Sequence, residues 1–110
     1  MSTSTKAQII PDKRLMDTIY AEGGGGDPAE IAAIASVFLN RADSVGLEKA
    51  LLGSTAFRKG STEYMKASQS KLNAYEQKVY ARNNAILTQL VNNPQLRLPY
   101  TYMEDRKSVV

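Results

Sequence analysis

The chain contains no cysteine and no histidine. The usual ligands of zinc, haem and iron–sulfur centres are therefore missing, and so are disulfide frameworks and the Ser/His or Cys/His pairs of nucleophilic catalysis. Any catalysis must rest on carboxylates, tyrosines, lysines or backbone groups, and no metal or other cofactor is expected. Long apolar runs are missing too. None approaches the roughly 18 to 20 residues that a helix needs to cross a bilayer, so no membrane span is expected. The opening Met1-Ser-Thr-Ser-Thr-Lys6 lacks the apolar stretch of a signal peptide, and export is expected only by another route.

What is present describes an ordinary globular domain. The chain has 110 residues, 43% hydrophobic and 23% charged, which argues for a folded chain over a disordered one. That length holds a single domain, able to bury on the order of 60 to 70% of its unfolded surface. Fourteen Lys and Arg against eleven Asp and Glu leave a net charge of +3. A mild basic excess suits any anionic partner, whether nucleic acid, phospholipid or the acidic polymers of a bacterial wall. Three charges do not choose among these, and solubility alone accounts for them equally well.

Residues 1–11 read as a leader settling onto the fold at Ile9-Ile10-Pro11. Between Asp12 and Glu22, the helical spacing of Leu15, Met16, Ile19 and Tyr20 predicts a short helix capped by Asp12. Four glycines, Gly23 to Gly26, follow and cannot continue a helix cheaply. Asp27-Pro28-Ala29-Glu30 then combines a cap residue, proline at the first helical position and glutamate at the third. The helix it opens carries a broad apolar face, Ile31, Ile34, Ala35, Val37 and Phe38, and is expected to form the buried centre before ending near Asp43-Ser44. Leu47 to Leu52 predicts one more turn of helix, closed by Gly53, and Ser54 to Ser61 a polar connection containing Phe57. A stripe of Leu72, Tyr75, Val79, Ile86 and Leu90 predicts a long helix beginning between Thr62 and Leu72 and stopped by Pro94. Leu96, Leu98, Tyr100 and Tyr102 alternate with polar or small residues, the period of an extended segment with one buried face, and residues 104–110 read as a peripheral tail.

The unusual feature is Glu22, a lone carboxylate at the end of one helix, followed by four glycines and the capped start of the next. Glycines let the backbone turn sharply and let a bulky ligand come close. The combination suggests a carboxylate on the floor of a groove; a flexible connector after a surface glutamate is the plainer account.

The run from Glu22-Gly-Gly-Gly-Gly-Asp-Pro28 through Ala33-Ile34-Ala35-Ser36-Val37-Phe38-Leu39-Asn40-Arg41 resembles the cell-wall hydrolase family of spore-cortex-lytic enzymes. That family's pattern runs from Glu-Ala-x-Gly-Glu through an Ala-Val-Ala helix to Leu-Asn-Arg, and the register matches without a gap from Glu22 to Arg41. The resemblance implies a mainly α, lysozyme-like small helical domain with a minor extended segment near the C-terminus. It also implies cleavage of peptidoglycan glycan strands by one essential glutamate, which falls on Glu22. The family's second glutamate falls on Gly26, with Asp27 beside it. Ala56-Phe57 partly echoes a downstream Gln-Phe element, and Pro99-Tyr100-Thr101-Tyr102 loosely echoes the closing Gly-Ala-x-Tyr/Phe segment.

Hydrolysis by the usual routes takes two carboxylates, an acid and a base or nucleophile. A lytic transglycosylase needs one, because the muramic acid C6 hydroxyl of the substrate attacks the anomeric carbon and leaves a 1,6-anhydro end. Lack of the second acid thus favours transglycosylation. Glu22 would have to hold a proton near neutral pH, which burial beside Ile19, Tyr20 or Phe57 would favour. For substrate binding the candidates are Asn40, Phe57 and Tyr102. Asn40 can bond a sugar acetamido group or brace the loop carrying Glu22, or it can simply end a helix, as the dipole-compatible Arg41 does. Tyr64, Tyr100 and Tyr102 offer faces on which a pyranose can pack, Tyr102 being the first choice, although core packing would explain each of them as well.

Other classes fit less well. A phosphate loop requires Gly-Lys-Ser/Thr before its helix, and Gly26-Asp27-Pro28 puts an anion there instead. Lys66, Lys71, Lys78 and Arg82 are interrupted by Glu63 and Glu76, which reads as a solvated helix face, so no nucleic-acid partner is expected. The expected partner is the peptidoglycan glycan strand. The resemblance implies a phage-encoded lysin or a virion-borne wall-piercing protein, held in the virion or host cytoplasm until delivery to the wall, with other virion proteins as further partners. The rival reading is a non-catalytic structural protein of a virus particle or secretion machine that retains the wall-lytic scaffold.

Overall fold

Most helices of this chain begin where a side chain takes over a backbone N–H that the first turn leaves without a partner. A computed structural model describes residues 8–101. The Asp12 carboxylate accepts the Arg14 N–H at 2.8 Å and opens α1, Lys13–Gly23. The Asp27 carboxylate accepts the Glu30 N–H at 2.8 Å and opens α2, Pro28–Val45, with Pro28 in the first turn, where its missing N–H costs nothing. Then come α3, Leu47–Leu52; α4, Thr55–Lys59, capped by Ser54; and α5, Thr62–Ser68, capped by Ser61. The longest helix, α6, spans Ala74–Asn92, and one turn of 3-10 helix, Pro94–Leu96, follows it.

Several expectations change. The connection from Ser54 to Ser61 contains α4, whose five residues are too few to show an apolar period and whose Ser54 cap is its main local signal. The predicted long helix is two helices. Ser70 takes a left-handed conformation (φ 58°), and Asn73 and Glu76 form a reciprocal capping box that starts α6 afresh. The predicted stripe fails at one position: Tyr75 is 70% exposed, whereas Leu72 and Leu90 are buried, Val79 and Ile86 pack against the clusters, and Asn83 and Leu87 join the buried face of α6. No strand occurs among the described residues, so the fold there is mainly helical without the extended element. Leu96 and Leu98, expected on a buried face, are exposed, and Tyr102 and the tail lie outside the described residues.

Packing divides into two clusters. The larger joins Leu15 and Ile19 of α1 to Ile31, Ile34, Ala35, Phe38 and Leu39 of α2, Leu51 of α3, and Leu87 and Leu90 of α6. Every side chain from Ala33 to Leu39 is buried, as expected for a central helix. The smaller cluster joins Tyr20 of α1 to Ala67 and Leu72, with Val79 and Tyr80 of α6 packed against it. Asp17, only 2% exposed, accepts hydrogen bonds from the Tyr80 hydroxyl (2.7 Å) and from Lys13 Nζ (3.0 and 3.2 Å) beside that cluster. Fully burying a Leu or Ile contributes about 1.5–3 kcal/mol, against about 0–1 kcal/mol for a surface pair such as Arg14–Glu48. The clusters hold the fold, and α1 ties them together: it packs against α2, α3, α4, α5 and α6.

Candidate active site

Glu22 occupies the last turn of α1 and is half-buried. That turn is closed by Gly24, whose N–H bonds the Tyr20 carbonyl at 2.8 Å in a conformation (φ 50°, ψ −130°) open to glycine and costly for a residue with a Cβ. The loop then crosses the start of α2 at very close range. A Cβ at Gly23 would stand 2.5 Å from Ile31 Cδ1, and one at Gly26 would stand 3.1 Å from the Gly23 carbonyl oxygen. Position 26, where the resembled family carries its second glutamate, is thus tight for any side chain. Asp27 is occupied as the cap of α2.

The partner of Glu22 is Ser54, which sequence reasoning missed. Its hydroxyl donates to Glu22 Oε2 at 2.5 Å and accepts the Phe57 N–H at 3.3 Å, while the residue is only 2% exposed. One buried hydroxyl therefore both caps α4 and holds the carboxylate of α1. The local signal was the cap itself, a serine after Gly53 at the head of a helix; the contact with Glu22 spans 32 residues and leaves no local trace. Arg41 passes the same turn, its Nε 3.8 Å from where a Cβ at Gly53 would stand.

The other candidates lie as follows. Phe57 is half-buried, packs against the main cluster and meets the Tyr64 ring edge-on at 5.6 Å, with Ser54 bonded to its N–H. Burial, ahead of the nearby charges, pushes the Tyr64 phenol above its ordinary range. Ile19 and Tyr20 are committed to the two core clusters. Asn40 donates both amide hydrogens to the carbonyls of Leu98 (2.8 Å) and Tyr100 (2.9 Å). It thus braces the segment leading toward Tyr102, in concert with Ser36, whose hydroxyl accepts the Leu98 N–H at 3.0 Å. The structure brings Glu22, Ser54 and Phe57 together and assigns Asn40 to the C-terminal segment.

Two residues of α6 complete the surroundings of the loop. Asn83, fully buried, donates to the Gly24 carbonyl at 3.0 Å, and Arg82 Nη2 donates to the Gly26 carbonyl at 2.5 Å. Arg82 therefore belongs to the loop and not to a solvated basic stripe; Lys66, for its part, pairs with Glu76 at 2.6 Å. Tyr75 places its hydroxyl 3.6 Å from where a Cβ at Gly25 would stand. Among the described residues no group of three or more acidic side chains is placed to hold a metal, and no helix is long and apolar enough to cross a membrane.

No family model, curated protein or solved structure matches the chain.

Proposed function

We propose that the protein is a lysozyme-like lytic transglycosylase that cuts the MurNAc–GlcNAc bond of peptidoglycan, with Glu22 as the single acid and base. The observation that carries this reading is the buried Ser54 hydroxyl fixed on one oxygen of a half-buried carboxylate beside a glycine loop. Ser54 engages Oε2 and leaves Oε1 as the oxygen that exchanges a proton with substrate. Protonated Glu22 delivers that proton to the glycosidic oxygen as the bond from the muramic acid C1 breaks. The carboxylate so formed takes the proton of the substrate's C6 hydroxyl while that oxygen bonds to C1. A 1,6-anhydro end and a free GlcNAc 4-hydroxyl result, no water is consumed, and Glu22 returns to its starting state. One carboxylate suffices, which agrees with Asp27 serving as a helix cap.

Mass spectrometry of purified peptidoglycan after digestion tests the proposal. The expected outcome is anhydromuramyl ends from the native protein and a loss of about 10²–10⁴-fold for Glu22→Gln, the range of a general acid–base contribution. Reducing ends would make the protein a hydrolase instead. Equal inertness of both proteins would favour the virion or secretion-machine scaffold.

A further inference from the structure

Four consecutive glycines between a candidate acid and the next helix raise a physical problem. Such a run has the greatest backbone freedom of any sequence, and a loose loop would let the last turn of α1 fray and carry Glu22 off Ser54. We infer that Arg82 and Asn83 of α6 are positioning residues that clamp the glycine loop and so hold Glu22 against Ser54. The inference rests on the transglycosylase reading for its catalytic consequence and on hydrogen-bond geometry for the clamp itself.

Asn83 is fully buried on the core-facing side of α6, with Leu87 and Leu90 further along the same buried face. An apolar side chain would fill that place with no polar group to satisfy, so a buried amide there calls for a specific partner. Its partners are all directional. Nδ2 donates to the Gly24 carbonyl at 3.0 Å, and Oδ1 accepts from Arg82 Nε at 3.2 Å and Nη2 at 2.9 Å. The guanidinium thereby fixes which way the amide faces. The same Nη2 reaches on to the Gly26 carbonyl at 2.5 Å. Two of the four loop carbonyls are thus gripped by one coupled pair, and the same two residues also donate their N–H groups, Gly24 to Tyr20 and Gly26 to Gly23. On the other side of the loop, Gly23 packs so closely on α2 that a Cβ there would push Ile31 Cδ1 aside. The loop is thus contacted from both α2 and α6, and Glu22 lies one residue before it.

The test uses Arg82→Ala and Asn83→Leu in the full chain, followed by amide hydrogen exchange, the side-chain carboxyl 13C signal of Glu22, and steady-state cleavage of soluble glycan strands. Exchange at Gly24 and Gly26 should rise at least tenfold in both variants while the Leu87 amide stays protected, and the Glu22 signal should move toward that of the Ser54→Ala protein. Cleavage should lose roughly 10- to 100-fold in kcat with KM changed less than about twofold, the signature of a misplaced catalytic group and not of lost binding. Arg82→Lys, which keeps a donor for Gly26 but loses the fork to Asn83, should fall between. Unchanged exchange at Gly24 and Gly26, or a loosened loop with native kcat, would overturn the inference. If Asn83→Leu does not fold, Arg82→Ala decides, since Arg82 is only half-buried. If the native protein releases no fragments, the enzymatic reading fails on its own, and exchange together with the Glu22 signal still decides whether the clamp holds that carboxylate.

Discussion

Ser54 carries two tasks on one hydroxyl, and stability and kcat report on them separately. As a cap it satisfies the Phe57 N–H, and as a donor it orients the Glu22 carboxylate. Ser54→Ala removes both. Loss of a serine cap costs about 0.5–2 kcal/mol, and loss of a hydrogen bond to a charged group about 1.5–3 kcal/mol in whichever state depends on it. We expect a small drop in the urea midpoint together with a fall in cleavage of roughly ten- to a hundredfold, the larger effect appearing in kcat. Ser54→Thr keeps the hydroxyl and should recover most of the stability and much of the rate. A Ser54→Ala protein with native kcat would show that the hydroxyl serves the α4 cap alone.

At the level of the elements, the glycine loop makes a sharper demand on position 24 than on position 25. Gly24 lies at φ 50°, ψ −130°, where a side chain is strained whatever the space around it. A Cβ at Gly25 would meet only the Tyr75 hydroxyl, at the ordinary contact distance of 3.6 Å. Gly24→Ala should therefore destabilise by about 1–3 kcal/mol, whereas Gly25→Ala should be neutral or stabilise by up to about 1 kcal/mol through the unfolded chain. Urea unfolding of the two variants reads this directly, and equal midpoints would contradict the loop geometry. The same elements show what could be read in advance. Caps are local, so Asp12 and the Asp27-Pro28-Ala29-Glu30 start were legible, and α1, α2 and α3 followed from them and from apolar spacing. The break between α5 and α6 obeys the same capping rule at Asn73 and Glu76, but the apolar spacing on either side hid it. Asn83 was invisible because hydrophobic periodicity registers only apolar residues, and this buried position carries an amide. Glu22 could be singled out from the residues that follow it; its partner Ser54 and the loop's partner Asn83 lie at separations of 32 and 59 residues, where no sequence pattern reaches.

Across the whole molecule, α1 decides how the two clusters respond together, because Leu15 and Ile19 enter one and Tyr20 the other. Within the smaller cluster, Tyr80 meets the Tyr20 ring edge-on at 5.9 Å, and its hydroxyl bonds the buried Asp17 of α1. Burial first, and then the bond to and charge of Asp17, push the Tyr80 phenol well above its ordinary value of 10.0; burial also raises Tyr20 and Tyr64. A phenol whose pKa is raised by folding adds stability that is fully present below the unfolded value and is lost as pH climbs through the folded one. The melting temperature should therefore be insensitive to these phenols at neutral pH and fall above about pH 10. Lys66, raised by its bond to Glu76, adds to the same alkaline loss from a half-buried pair whose contribution salt screens in part. Tyr80→Phe keeps the ring packing and leaves Asp17 with Lys13, so it should flatten the alkaline limb at high salt while lowering stability modestly at pH 7. Since α1 is shared, ionising Tyr80 should not melt the smaller cluster alone: far-ultraviolet circular dichroism and tyrosine fluorescence should trace one coincident transition at every pH. Separate transitions, with the fluorescence change first, would show that α1 does not couple the clusters.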